Sequence, residues 1–368
     1  MPGGLHAGRE AVSYTRPMKR GWEAHLPFRG PYNWGAMMAF LAPRAIPGVE
    51  IVDASGYHRT ISVDGVQGVV TVRPAPRASY LVATVRATGA VPRGTIVARL
   101  RRLFDLDTDI EAVENRLRGD SRLAASIAAR SGLRVPGAWD TFELVVRAML
   151  GQQVSVAAAT TLAGRLVAAH GDAIDDIRLE PGRIFPTPAS LARADLTSIG
   201  LPGARARAIS ALAGVVLADT TLLEPADELE ATVEKLCRLP GIGPWTAHYV
   251  AMRALRQADA FPAADLGILR ALGSPPERVT PAQAAIMARR WRPWRAYAVM
   301  HLWAGGNAEL NRPRQRAASR AAPDYRHGRQ PTRRAAGRRE NRVGRSARGT
   351  SGQARPARLP SWHLRDEH

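Results

Sequence analysis

The spacing of apolar residues changes character twice along this chain, and those changes divide it. Residues 1–25 are polar and glycine-bearing with no apolar period, and are expected to form a disordered leader. Helical spacing first appears at Trp34, Met37, Met38 and Leu41, behind Asn33 as a candidate cap. Further on the period shortens to two. Residues 59–63 alternate, Asp64-Gly65 marks a turn, and residues 69–72 and 80–85 are rich in β-branched side chains. A small antiparallel sheet carrying a helix is therefore predicted over residues 26–92.

The second change comes near residue 93. Segments 95–104, 110–117, 141–150, 157–170, 188–194, 204–217, 228–239, 246–257, 266–272 and 281–291 each suit an amphipathic helix, with Gly and Pro between them. An all-α domain is predicted over 93–306, which makes the chain α+β. Residues 307–368 contain few large apolar side chains among Arg, Ala, Gly and Pro, and are expected to be disordered.

Charge adds a partner to this outline. The formal net charge is +20, but residues 311–368 hold sixteen arginines, no lysine and four acids, so they carry +12 of it. The remaining +8 on the first 310 residues is a moderate bias toward a polyanion. The tail reads equally as a weak nucleic-acid binder or as a variable extension. With 45% apolar residues the chain can bury a sizeable core, and its single cysteine excludes disulfides and cysteine-ligated clusters. Cys237, between Leu236 and Leu239, reads as a small core residue. No apolar stretch of spanning length and no signal-peptide core is present, so a cytoplasmic location is the default.

Candidate chemistry starts at Leu239-Pro240-Gly241-Ile242-Gly243-Pro244-Trp245-Thr246-Ala247. Two glycines around one apolar residue permit a tight turn with its amides exposed, and proline suits the first position of the next helix. Those amides and the helix dipole can hold a phosphate without a charged side chain, with Ile242 plugging the gap between helices. An ordinary connection between two helices is the alternative reading. About twenty residues on lies Phe261-Pro262-Ala263-Ala264-Asp265-Leu266-Gly267-Ile268, where Asp265 alone reads as a helix N-cap.

Together these two segments resemble the helix-hairpin-helix-GPD glycosylase superfamily. Pro31-Tyr32-Asn33-Trp34, Gly68-Val69-Val70-Thr71, Arg102-Leu103-Phe104-Asp105-Leu106, Leu150-Gly151-Gln152-Gln153-Val154-Ser155, Phe185-Pro186-Thr187-Pro188 and Arg292-Pro293-Trp294-Arg295-Ala296-Tyr297 extend the likeness. Over residues 27–306 the chain is similar to AlkA-type 3-methyladenine DNA glycosylases II. The resemblance implies a sheet domain like half of a TATA-binding protein, followed by an all-α glycosylase domain.

It also implies roles. Asp265 would be the catalytic carboxylate, stabilising the cationic sugar or orienting water. Trp245 stands where strand-cleaving relatives carry a Schiff-base lysine, so base removal without strand cleavage is expected. Trp245, Tyr249 and Trp303, with Phe40 from the sheet domain, would line the pocket for a flipped alkylated base; by spacing alone each reads as core. Gly241, Ile242 and Gly243 would grip the DNA backbone. Gln152 and Gln153 would form the loop that enters the duplex, Gln153 at a wedge position where relatives can carry an apolar residue. Ala264 replaces a second aspartate of some relatives, and His248 receives no role.

The expected partner is double-stranded DNA containing alkylated bases, bound by a monomer, with no membrane and no cofactor, a monovalent cation at the hairpin apart. A non-catalytic hairpin DNA-binding protein is the competing reading, and an oxidised-base glycosylase with lyase activity a third. The AlkA type also occurs behind an Ada-like methyl-accepting module, which residues 1–25 cannot encode.

Overall fold

A computed structural model describes residues 13–18, 21–174, 181–273 and 278–310. Six strands, β1 (Ser13–Met18), β2 (Gly21–Pro27), β3 (Glu50–Asp53), β4 (Gly56–Val63), β5 (Val66–Pro74) and β6 (Tyr80–Ala87), make one antiparallel sheet in the order β1-β2-β6-β5-β4-β3. The β4–β5 turn falls on Asp64-Gly65, as expected. Both residues have positive φ, 51° and 78°, the conformation whose twist matches a two-residue hairpin.

The leader expectation is corrected here. β1 and β2 occupy residues 13–18 and 21–25 of that segment, and Trp22, Ala24 and Leu26 of β2 alternate into the core while Glu23 and His25 face outward. Only three inward residues, one of them alanine, carry that alternation, too faint a signal to read beforehand. Residues 1–12 and 311–368 lie outside the described residues, while the last described helix, Arg295–Leu310, occupies the first four residues of the tail expected over 307–368.

One face of the sheet is covered by α1 (Trp34–Leu41) and α2 (Arg93–Leu103). Asn33 caps α1 as expected, its Oδ1 accepting from the Ala36 N–H at 2.9 Å. Met37 and Leu41 of α1 and Ile96, Val97, Leu100 and Leu103 of α2 share one core with Tyr57, Ile61, Val70, Leu81 and Val85. The sheet's core therefore does not end at residue 92. Helix α2 belongs to it, and Trp139 closes it.

The remaining helices are α3 (Ile110–Leu117), α4 (Ser121–Ala129), α5 (Thr141–Leu150), α6 (Val156–His170), α7 (Pro188–Leu191), α8 (Gly203–Ala218), α9 (Leu229–Cys237), α10 (Pro244–Arg253), α11 (Leu266–Leu272), α12 (Pro281–Ala288) and α13 (Arg295–Leu310). They build two further cores. One collects α5, α6, α8 and α9, the other α3, α4 and α11 to α13. Helix α10 runs between, giving Ala247 and Val250 to the first and Ala251 and Met252 to the second. Helix α13 escaped the sequence reading because residues 296–302 are buried on every side, which leaves no polar face to set a period.

A buried ion network ties sheet to helices. Arg59 of β4 reaches Glu143 of α5 at 2.8 Å, and Arg147 of α5 bridges Glu143 at 3.1 Å and Glu50 of β3 at 3.0 Å. Tyr57 Oη donates to Glu50 at 2.6 Å. Burial alone would raise the Glu50 carboxyl, but Arg147 and Arg59 outweigh it and hold it below the usual carboxylate range.

Candidate active site

Helix α9 ends at Cys237 and the chain turns through Gly241, whose φ of +74° an L side chain rarely adopts. A Cβ there would also stand 2.6 Å from Met149 Cε. Ile242 fills the gap as expected, 5% exposed in the core with Leu236, Leu239 and Val250. Gly243 caps α10 and is exposed, with nothing within 4 Å of the place a Cβ would take. Pro244 occupies the first helical position. The amide face at the start of α10 is thus left clear, while the helix behind it is anchored in the core.

The loop between α5 and α6 leans on this turn. Gln152 Nε2 donates to Gly241 O at 3.0 Å and to Thr246 Oγ1 at 3.1 Å, and Gln152 O accepts from Arg205 at 2.8 Å. Its amide is spent on bracing the hairpin. Gln153 differs: it is exposed at the loop tip with φ +60°, beside Val154, which is 39% exposed. The structure separates the two glutamines expected to act together.

Three side chains, Trp245, Tyr249 and Arg253, follow at four-residue intervals on one face of α10. Asp265 is the N-cap of α11, its Oδ1 accepting from the Ile268 N–H at 3.0 Å, so the bland reading of this residue is also correct. Its carboxylate takes two further donors. Trp303 Nε1 of α13 donates to Oδ1 at 2.9 Å and Trp245 Nε1 to Oδ2 at 3.2 Å. Oδ1 is saturated by two donors, whereas Oδ2 keeps an open acceptor position. Gly267 is what lets Trp303 approach: a Cβ there would meet Asp265 Oδ1 at 3.0 Å and Trp303 Cδ1 at 3.1 Å.

The rings expected to form a pocket do come together. Trp245 stacks on Tyr249 with centroids 5.3 Å apart and planes 10° apart. Phe40 of α1 faces Trp303 at 6.3 Å, and Trp303 lies 6.5 Å from Tyr249. With Asp265 they line a recess of about 830 Å³. Five arginines that sequence reasoning missed also line it, Arg44, Arg130, Arg147, Arg253 and Arg270, and two of them stand against its rings. Arg253 donates to Tyr249 Oη at 2.7 Å and stands 4.8 Å from the Phe40 ring centroid, while Arg44 stands 3.9 Å from it. Arg253 and Arg44 each lie one helical turn beyond an expected pocket residue, a spacing that does not by itself set them apart from surface arginines. Burial would raise the Tyr249 phenol, yet Arg253 and Arg44 overcome it and bring it below the usual phenol range.

Residues left without a role stay outside this constellation. His248 Nδ1 faces the Phe261 N–H at 3.4 Å, and its burial and the Arg295 charge hold the imidazole below its ordinary range. Ala264 is exposed. Burial pushes the Cys237 thiol up, which disfavours a thiolate nucleophile. Among the described residues no group of three or more His, Cys, Asp or Glu is placed to hold a metal ion, and no helix is long and apolar enough to cross a membrane. The arrangement is a fixed carboxylate on the wall of an aromatic recess, beside a turn with free amides.

Known proteins match this chain over both of its domains. Residues 23–140 match the AlkA N-terminal domain, and residues 146–295 match the HhH-GPD superfamily base excision DNA repair proteins. DNA-3-methyladenine glycosylase 2 of Escherichia coli is 39% identical over 282 residues, which cover 76% of this chain and 95% of that protein. A Mycobacterium tuberculosis relative, named a probable bifunctional transcriptional activator/DNA repair enzyme AlkA, is 39% identical over 281 residues. The chain spans 56% of that relative's length. Among solved structures, the 3-methyladenine DNA-glycosylase from Archaeoglobus fulgidus has the same fold, with a TM-score of 0.65 at 23% identity over 77% of this chain and 98% of that one. With the sheet domain and the hairpin domain matched in the same order, and near-complete coverage of the Escherichia coli protein, this chain belongs to the HhH-GPD superfamily of base excision DNA repair proteins, in its AlkA branch.

Proposed function

We propose that this chain is a monofunctional DNA glycosylase that excises alkylated bases, 3-methyladenine and related N-alkylpurines among them, from double-stranded DNA. The observation that carries this reading is the Asp265 carboxylate, clamped by two indole N–H groups and a helix cap on the wall of the aromatic recess.

In this scheme the target nucleotide leaves the stack and its base enters among Trp245, Tyr249, Trp303 and Phe40. An electron-poor alkylated base gains on the order of ~1 kcal/mol from each well-placed ring face. As the C1′–N bond breaks, its electron pair goes to the base and positive charge grows on the sugar. The open position of Asp265 Oδ2 stabilises that charge and orients the water whose oxygen bonds to C1′ as one of its protons passes to solvent. The Gly243 amide face grips a backbone phosphate, and Gln153 fills the gap left in the duplex. Trp245 supplies no amine. Lys235, the lysine among the described residues, spends its ammonium on Thr221 O at 2.6 Å and Glu224 O at 3.1 Å and is absent from the recess. The product is therefore an abasic site in an uncut strand. The reaction draws on no cofactor and is that of a cytoplasmic monomer.

The test compares wild type with Asp265→Asn, whose amide oxygen can still cap α11. Wild type is expected to release 3-methyladenine from methylated DNA, and the variant to bind the same duplex and release none. Full activity in Asp265→Asn refutes the assignment. Wild type that binds lesion-bearing duplex without releasing a base would be a non-catalytic DNA-binding protein, and a borohydride-trapped adduct would revive a lyase.

A further inference from the structure

Tyr249 presents more than a ring to the recess. Its Oη accepts from Arg253 Nη1 at 2.7 Å, so the hydroxyl proton must point elsewhere, and among the described residues it finds no acceptor. Arg253 cannot swing away, because Nε donates to Pro136 O at 2.8 Å and Nη2 to Gly137 O at 2.9 Å. Arg44 is held by the Phe40 carbonyl at 2.8 Å. Neither guanidinium has a carboxylate partner among the described residues, in contrast to Arg147, which also lines the recess but is paired with Glu50 and Glu143. The Phe40 side of the recess thus carries two uncompensated positive charges and one unspent phenol donor.

Such a wall suits a departing group that gains negative charge. A base with a fixed positive charge leaves neutral, since the electron pair of the C1′–N bond cancels that charge, and neighbouring guanidiniums give it no help. An uncharged base leaves as an anion. The pair from the broken bond spreads onto its ring nitrogens and carbonyl oxygens, the oxygen of a water bonds to C1′ and gives one proton to solvent, and the anion takes one proton from solvent. A donor backed by cations stabilises that anion as it forms.

We propose that Tyr249, backed by Arg253 and Arg44, donates a hydrogen bond to the departing base and so sets how far the site accepts uncharged lesion bases bearing a carbonyl. This rests on the glycosylase reading above and names a leaving-group role for a residue that reading uses only as a ring. The lowered phenol range is consistent with it, because a more acidic hydroxyl is a stronger donor.

The experiment measures single-turnover base release by wild type and Tyr249→Phe from two duplexes of one sequence. One carries hypoxanthine, which is uncharged with a carbonyl, and the other 7-methylguanine, which is cationic. The phenylalanine ring keeps the stack on Trp245 and loses only the hydroxyl, so 7-methylguanine release reports any general damage to the recess. The ratio of hypoxanthine to 7-methylguanine rates is expected to fall about tenfold or more in the variant, as for loss of a charge-assisted hydrogen bond. An unchanged ratio overturns the proposal, as does wild type that releases 7-methylguanine but no hypoxanthine. Wild type that releases neither base overturns the glycosylase reading as well.

Discussion

Replacing Gly267 tests whether Asp265 works because of how it is held. A Cβ at this position would sit 3.1 Å from Trp303 Cδ1 and 3.3 Å from its Nε1, where ordinary carbon contacts begin at about 3.5 Å. In Gly267→Ala the indole must therefore retreat by roughly 0.4 Å, which stretches its 2.9 Å bond to Asp265 to about 3.3 Å, past the usual range. A hydrogen bond to a charged group is worth about 1.5–3 kcal/mol, and losing near half of it is about 1 kcal/mol. If the carboxylate must keep its orientation in the transition state, that loss appears as a rate decrease of about fivefold. Gly267→Val expels the indole and should cost about tenfold to a hundredfold. The fold should not suffer, because alanine is a better helix former than glycine by up to about 1 kcal/mol. The assay is single-turnover release of 3-methyladenine at saturating enzyme, paired with thermal melting. In a Trp303→Phe background, with no indole N–H to displace, Gly267→Ala should add little. Undiminished release by both Gly267 variants would refute the claim that the indole clamp matters.

Three further outcomes follow from other parts of the molecule. Gly243→Ala, with open space at its Cβ, should melt like wild type yet bind duplex DNA more weakly in fluorescence anisotropy. Gly241→Ala should lose about 1–2 kcal/mol of stability from its left-handed backbone and the Met149 clash; wild-type affinity in Gly243→Ala would remove the hairpin from the binding surface. His301, buried against Ser126 and near Arg130, has its imidazole pushed down to about 4 by burial and then by that charge. Its folded value lies below the unfolded value of about 6.5, so its contribution is fully present above pH 6.5 and is lost as pH falls toward 4. Thermal melts should register up to about 3 kcal/mol over that window, and His301→Asn should flatten the slope.

The parts of this fold that the sequence made legible are those where local chemistry and tertiary role agree. The Asp64-Gly65 turn, the Asn33 cap, α3, α5 and α11 stand where spacing and capping put them. What stayed hidden depends on contacts between distant segments. The short strand β3 is ordered by its neighbour β4, and α2 joins the sheet's core although its period is that of the helices after it. At the site, the resemblance supplied Asp265 and the rings, while spacing alone gave only a cap and core-like aromatics. Arg44 and Arg253 were missed because an arginine one turn past an aromatic is as ordinary on a solvated face as in a recess. Only burial separates the two cases.

The cap at Asp265 has a consequence in time as well as in space. The carboxylate keeps all three of its donors only while the first turn of α11 is wound, and α11 is a seven-residue helix whose first residue, Leu266, is 66% exposed. Short, exposed turns open readily on their own, without the rest of the protein unfolding. Each opening of that turn releases the Ile268 amide to solvent and takes one of the carboxylate's three donors from it at the same moment. Hydrogen exchange at one backbone amide, in the protein without DNA, therefore counts how often the site is assembled. Competence for the reaction is then a population fixed by the opening free energy of a single helical turn.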